Sequence, residues 1–301
     1  MPGVLADFSN ALAETVAALD KSTVRVEGRE RLPATGIVWS ADGAILTAHH
    51  VVEQDENIGV GLPDGQTASA RLVGRDPTTD LALLQLSSAP AGTLAAARWA
   101  SPDALRVGNV VLALGRPGHT VMATFGIISA LGKPWRTPAG GQVDRYLQTD
   151  IVMYPGFSGG PLVSATGEVI GLNSSALLRG ASVAIPGPTI KQVIESLQTH
   201  GRVRRGYLGI GAQPVRLPAN LAQQLGQETG LLLVSVEPES PAEQGGLMLG
   251  DTIVSIAGQK VRGLDELMGT LGGEQVGQPT AVAIVRAGAL AERMVTIGEH
   301  K

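Results

Sequence analysis

Between residues 22 and 185 the chain is a succession of short apolar or alternating runs, each cut off by Gly, Pro, Asp or Asn: TVRVEG, TGIVWS, GAILTA, IGVGL, ASARLVG, LALLQL, NVVLALG, ATFGIISALG, RYLQTD, PLVS, EVIGLNS and SVAIP. Runs of this length bounded by turn residues read as strands. A dozen strands with no long helix between them predict an all-β barrel or sandwich. The 40 glycines and 18 prolines among 301 residues supply the reversals that so many short strands require.

At roughly 150 residues per domain the length predicts two domains. From Pro188 to His200 a helix is expected, with Ile190, Val193, Ile194 and Leu197 on one face, and it closes a first domain spanning 22–200. GRVRRG, residues 201–206, lacks apolar periodicity and reads as the linker, with Arg202, Arg204 and Arg205 as a solvated hinge. Residues 207–301 alternate between strand patterns (YLGI, GLLLVSV, DTIVSIAG, TAVAIVRAG, ALAERMVTI) and helical ones (LPANLAQQLGQ, SPAEQGG, GLDELMGTLGG), which predicts a compact α+β module. At the other end, within residues 1–21, Leu5, Phe8, Leu12, Val16 and Leu19 recur at helical spacing, so an amphipathic helix should dock there on its own domain or on another subunit. Asp7, Glu14 and Asp20 interrupt that segment and leave neither a signal-peptide core nor a membrane span. The expectation for location is cytoplasmic as written, or extracytoplasmic if a leader has been removed.

Charge and composition narrow the chemistry. Lys and Arg number 23 against 27 Asp and Glu, a net charge of −4, so there is no basic excess to draw the chain to nucleic acid. Cysteine is absent, which removes thiol nucleophiles, zinc thiolate clusters and disulfides together. Covalent catalysis would have to use oxygen or nitrogen. No metal site is expected, because the adjacent His49 and His50 on a strand point to opposite faces and no second cluster supplies ligands. No cofactor is expected, and no Walker-type phosphate loop points to ATP.

Three stretches carry potential chemistry. In PGFSGGPL, Pro155 to Leu162, three glycines around Ser158 allow a tight turn that exposes one hydroxyl and aims successive backbone N–H groups into a concavity. Alone, it is also readable as a glycine-rich hairpin with an incidental serine. In GAILTAHHVV, an apolar strand runs into a histidine pair, and an imidazole is the usual base for a serine hydroxyl. In DPTTDLALLQL, Asp80 directly precedes a buried run, an awkward place for a carboxylate unless a partner such as an imidazole satisfies it, whereas Asp76 beside a proline reads as a turn-former.

The TAHHVV, DPTTDLALLQL and GFSGGPLV blocks, with LQTD before the serine and IGLNSS after it, resemble the HtrA (Deg) serine proteases, and YLGI together with GLLLVSVEPESPAEQGGLMLGDTIVSIAGQKV resembles that family's PDZ domain. The resemblance covers nearly the whole chain. It implies a mainly β fold: a chymotrypsin-like double β-barrel protease domain over 22–200, followed by a small α+β PDZ domain. It also implies roles. His50, the second histidine of the pair, would be the general base, Asp80 its orienting acid and Ser158 the nucleophile, with the N–H groups of Gly156 and Ser158 as the oxyanion hole. Where relatives usually carry Asn before the serine, this chain carries Phe157, and the bulky ring predicts a loop able to switch between competent and collapsed states. The residue six positions before the serine, Val152, would form the base of an apolar specificity pocket that favours cleavage after small or medium aliphatic residues.

In the PDZ domain the resemblance makes Tyr207, Leu208, Gly209 and Ile210 the loop that receives a C-terminal carboxylate, and Leu264, Met268 and Leu271 the helix side of the peptide groove. By analogy the protein would be a homotrimer or higher multiple joined through its N-terminal apolar stripe. The function implied is ATP-independent serine endopeptidase action on unfolded or damaged polypeptide, with C-terminal peptides bound at the PDZ domain. The alternative is a catalytically weak holdase or peptide-binding protein on the same fold.

Overall fold

The computed structural model describes residues 3–30, 32–88, 94–101 and 105–299. The chain divides into two compact units, Met1–Val203 and Arg204–Lys301. Among the described residues no helix is long and apolar enough to cross a membrane.

The first unit opens with α1 (Val4–Ala18). Leu12 and Val16 of this helix pack against the domain core, while Val4 and Leu5 are 85% and 83% exposed. Six strands then close a first barrel: β1 (Thr23–Glu27), β2 (Ala34–Val38), β3 (Ala44–Ala48), β4 (Ile58–Gly61), β5 (Thr67–Asp76) and β6 (Leu81–Leu86), in the order β1-β2-β3-β6-β5-β4. Every residue of β2 and β3 is buried, so these strands are covered on both faces, and the threonine in each, Thr35 and Thr47, has its hydroxyl bonded to a backbone carbonyl.

A second barrel is built from β7 (Val110–Gly115), β8 (Met122–Leu131), β11 (Leu147–Thr149), β12 (Pro161–Ser164), β13 (Val169–Ser174) and β14 (Ser182–Pro186), with the short hairpin β9 (Trp135–Arg136) and β10 (Gln142–Val143) outside it. The helix α2 (Gly187–His200) has Pro188 in its first turn and ends on Gly201 at φ 72°, the left-handed conformation that suits glycine. It buries Ile190, Val193, Ile194 and Leu197 and lies against β5, β6, β13 and β14, so one apolar face ties strands of both barrels together.

The second unit contains β15 (Gly206–Tyr207), β16 (Ile210–Arg216), α3 (Ala219–Leu225), β17 (Thr229–Val236), α4 (Pro241–Gln244), β18 (Thr252–Ile256), β19 (Gln259–Lys260), α5 (Leu264–Thr270), β20 (Pro279–Arg286), β21 (Ala289–Thr296) and β22 (Gly298–Glu299). Its main sheet runs β16-β17-β18-β20-β21, which leaves β16 as a free edge, and α5 lies alongside that edge. The segment read as a linker is partly structured. Arg202 bridges to Arg75, Arg204 pairs with Glu299 at 3.3 Å, and Gly206 already pairs with Glu299 in β15–β22.

Candidate active site

The strand β3 delivers the histidine pair. Its buried apolar residues end at Ala48, and a single 3-10 turn over His49–Val51 follows. Because Ala48 pairs with Leu81 across β3 and β6, residue 80 lies directly opposite the turn. His49 N–H donates to the Asp80 carbonyl at 3.0 Å and His50 N–H to Asp80 Oδ1 at 2.9 Å. The ring closes the arrangement, with His50 Nδ1 at 3.0 Å from Oδ1 and 2.8 Å from Oδ2 of the same carboxylate.

Asp80 is buried and has φ 58°, a left-handed conformation that Asp tolerates better than most residues. The preceding turn holds it there. Asp76 Oδ1 accepts from Thr78 N–H at 3.1 Å and from Thr78 Oγ1 at 2.8 Å, while Oδ2 accepts from Thr79 Oγ1 at 2.7 Å. The DPTTD sequence is thus a self-bonded turn that presents its last residue. A further donor that the motif reading did not assign is Ser174 at the end of β13, whose hydroxyl donates to Asp80 Oδ2. With the His50 N–H, the His50 ring and Ser174 all on it, this buried carboxylate is fully satisfied.

Burial pushes the neighbouring His49 below the usual histidine range, with Arg75 and His50 acting in the same direction against the opposite pull of Asp80. The shift disfavours a charged His49 beside His50. Its Nδ1 is buried without a hydrogen-bond partner among the described residues.

Ser158 sits on the loop between β11 and β12, and the loop conformation needs its glycines. Gly159 has φ 85°, and a Cβ there would lie 2.1 Å from Thr35 O; one on Gly160 would lie 2.1 Å from Leu114 O. The loop is anchored on β2, since Thr35 N–H donates to Ser158 O at 3.2 Å and Thr35 Oγ1 to Gly156 O at 2.6 Å. Its own N–H groups divide into two sets. Those of Phe157, Gly159 and Gly160 are taken by Tyr154 O, Asn173 O and Phe157 O at 3.1, 2.9 and 3.0 Å. Those of Gly156 and Ser158 make no hydrogen bond among the described residues, so two donors flank the serine unclaimed. The Ser158 side chain has its hydrogen bond to Ser175 Oγ at 3.0 Å; among the described residues none joins it to His50.

Phe157 is fully buried. Its ring packs among Val111, Ala113, Leu162 and Ile170 in the second barrel, meets Tyr154 edge-on at 5.9 Å and leaves no room for a side chain at Gly115. In this arrangement the Gly156 and Ser158 N–H groups are free of partners among the described residues, and the Phe157 ring is packed into the second-barrel core. Val152 differs from the enclosed pocket base expected of it: the side chain is 62% exposed, and its carbonyl is held by Thr124 Oγ1 at 3.1 Å. Its apolar neighbours pack inward instead: Ile151 is buried in the second-barrel core and Met153 is partly buried against it.

In the second unit, Gly209 has φ 75°, and a Cβ there would meet Ser240 Cβ at 2.3 Å. The carbonyls of Leu208 and Gly209 accept from Ala242 N–H and Glu237 N–H at 2.9 and 2.8 Å, whereas their own N–H groups make no hydrogen bond among the described residues. Tyr207 donates its hydroxyl to the Glu237 carboxylate, and Ile210 begins the free edge β16. On α5, Leu264 and Met268 are exposed, one helical turn apart. Leu271 corrects the groove assignment: it lies beyond the last turn of α5 and is buried with Leu267 in the core, because helical spacing alone does not say which face is covered. The Leu208 side chain is likewise core, leaving only its backbone for ligand.

Residues 34–172 match the trypsin-like peptidase domain family and residues 206–297 the PDZ domain family. A probable periplasmic serine endoprotease DegP-like from Ectopseudomonas mendocina is 38% identical over 272 residues, covering 88% of this chain and 56% of that protein. The chain spans about half the length of the first such relatives it matches. Among solved structures, the serine endoprotease from Yersinia pestis superposes with a TM-score of 0.77 at 30% identity over 98% of both chains. The HtrA-type protease AlgW with tripeptide gives 0.76 at 32% identity, over 98% of this chain and 97% of that one. Two closed barrels carrying His50, Asp80 and Ser158, followed by a PDZ unit, agree with these likenesses, and the chain belongs to the HtrA family of trypsin-like proteases.

Proposed function

We propose that the protein is a serine endopeptidase that cleaves unfolded or damaged polypeptides without ATP, and that its PDZ unit binds C-terminal peptides. The observation that carries the reading is the His50–Asp80 pair in the same unit as a serine flanked by two unclaimed N–H donors. In the reaction, the Ser158 hydroxyl turns to His50 Nε2, which takes its proton as Oγ bonds to the substrate carbonyl carbon. The negative charge that develops on the carbonyl oxygen is received by the Gly156 and Ser158 N–H groups. His50 then passes the proton to the leaving amine, the C–N bond breaks, and water repeats the sequence on the acyl-enzyme to release the acid. Asp80 keeps the proton on Nδ1, so Nε2 is left free to accept, and it stabilises the imidazolium.

The consecutive apolar residues Ile151, Val152 and Met153 offer no carboxylate to a basic side chain, which supports cleavage after Val, Ala, Ile or Leu. At the PDZ unit, the free N–H groups of Leu208 and Gly209 support capture of a terminal carboxylate, the edge of β16 supports addition of the peptide as a strand, and Leu264 and Met268 support apolar contacts with its side chains. The exposed Val4, Leu5 and Phe8 of α1 support self-association, with a trimer as the proposed state; sedimentation as a monomer at micromolar concentration would reject it. The relatives named as periplasmic endoproteases support work outside the cytoplasm and give no support to a cytoplasmic location.

A second reading, a weakly active holdase, has in its favour that the Ser158 hydroxyl is bonded to Ser175 rather than to His50. Casein digestion separates the two. Cleavage by the wild type and its loss in Ser158→Ala support the protease; equal and negligible cleavage by both supports the holdase.

A further inference from the structure

The acid–base pair is assembled and the donors beside Ser158 are free, yet the nucleophile is turned elsewhere. Asp80 engages His50 Nδ1 at 2.8 Å, whereas the Ser158 hydroxyl is hydrogen-bonded to Ser175 Oγ at 3.0 Å. Among the described residues no hydrogen bond joins Ser158 to His50, and the Ser158 hydroxyl is engaged by another hydroxyl instead. Ser158 is 8% exposed, so its hydroxyl gains more from a protein partner than a surface serine would. Ser175 is exposed, immediately follows the Ser174 that bonds Asp80, and has no role in the core.

We infer that Ser175 is a positioning residue that parks the nucleophile: its hydroxyl holds Ser158 Oγ in a rotamer away from His50, and the enzyme must break this bond before each attack. The inference rests on the reading of Ser158 as the nucleophile. The parked and reactive rotamers are alternatives for one O–H, since a hydroxyl donates a single hydrogen. If Ser158 donates to Ser175, that proton is unavailable to His50; if Ser175 donates, it occupies a lone pair of Oγ and holds the rotamer. Either way the population able to react is reduced by the strength of one neutral hydrogen bond. A typical net strength corresponds to a factor of about two to ten. A serine at this position therefore acts as a brake, and a residue without a hydroxyl releases it.

The test is the second-order rate of labelling by a fluorophosphonate probe, together with kcat and KM on an aliphatic peptide substrate, for full-length wild type, Ser175→Ala, Ser175→Thr and Ser158→Ala. Ser175→Ala should label about two to ten times faster and show a kcat raised by a similar factor, with KM unchanged, because the brake acts on the serine and not on substrate contacts. Ser175→Thr keeps a hydroxyl and should stay near the wild-type rate. Labelling of Ser175→Ala that is unchanged or slower overturns the inference, as does acceleration in both variants, which would trace the effect to the backbone. Wild type labelled no faster than Ser158→Ala would sink the nucleophile reading and the inference with it. Labelling of wild type alone leaves the first intact and the Ser175→Ala rate to decide the second.

Discussion

The carboxylate of Asp80 holds His50 twice, through the ring at 2.8 Å and through the backbone N–H at 2.9 Å. One acid thus fixes both the turn that carries the imidazole and the tautomer of the imidazole itself. Asp80→Asn should keep much of the fold, since Asn also tolerates the left-handed conformation at φ 58°. Its amide can donate to Nδ1, which favours the tautomer with the proton on Nε2, where it cannot accept from serine. A loss of kcat of about 10,000-fold is expected, measured on a peptide substrate beside an unchanged circular dichroism spectrum.

Removing either end of the proton transfer, as Ser158→Ala or His50→Ala, should lower kcat by several orders of magnitude. The double variant should be hardly worse than either single one, because the residues act as a unit. Additive losses would show that they work independently.

Phe157 anchors the loop that carries Ser158 from inside the second barrel. Phe157→Ala should destabilise the protein by about 3–5 kcal/mol in denaturant titration, the cost of emptying a fully buried aromatic site. The loss of the anchor should lower fluorophosphonate labelling even where the protein remains folded. Full labelling in a folded Phe157→Ala protein would show that the loop holds its shape without the ring.

The PDZ assignments separate by face. Met268→Ala should weaken binding of an apolar C-terminal peptide, followed by fluorescence anisotropy, with little change in Tm. Leu271→Ala should cost about 2–5 kcal/mol of stability, since its side chain is in the core. Gly209→Ala should abolish peptide binding, because alanine is strained at φ 75° and its Cβ collides with Ser240.

Asp251 in the second unit predicts a pH dependence. Burial pushes its carboxyl up, but hydrogen bonds from Arg286 at 2.7 Å and Met248 N–H at 2.8 Å, with the charges of Arg286 and Arg293, outweigh burial and hold it below the ordinary value of 3.8. A lowered folded-state pKa stabilises the fold above pH 3.8, and that contribution is lost as the pH falls below this value. Asp251→Asn should therefore lower the Tm at pH 6, and the gap to wild type should shrink as the pH is taken below 3.8; a gap independent of pH would contradict the assignment.

Much of this protein was legible from local pattern alone. Strand runs of four to ten residues, the helix beginning near Pro188 and the order of the His50, Asp80 and Ser158 blocks depend on side-chain periodicity and turn chemistry within a few residues of one another, and these act before any long-range contact forms. Burial was not legible in the same way. Helical spacing marked Met268 and Leu271 alike, and only the packed sheet separates the exposed one from the buried one. The ring of Phe157 was bulky in sequence and became an anchor only because the second barrel leaves a space beside Gly115. The serines at 174 and 175 gained their roles from partners 94 and 17 residues away, to which no local periodicity points. Strand pairing in closed barrels is what brings such distant positions within a hydrogen bond, so the types of catalytic group belong to the sequence and their partners to the tertiary fold.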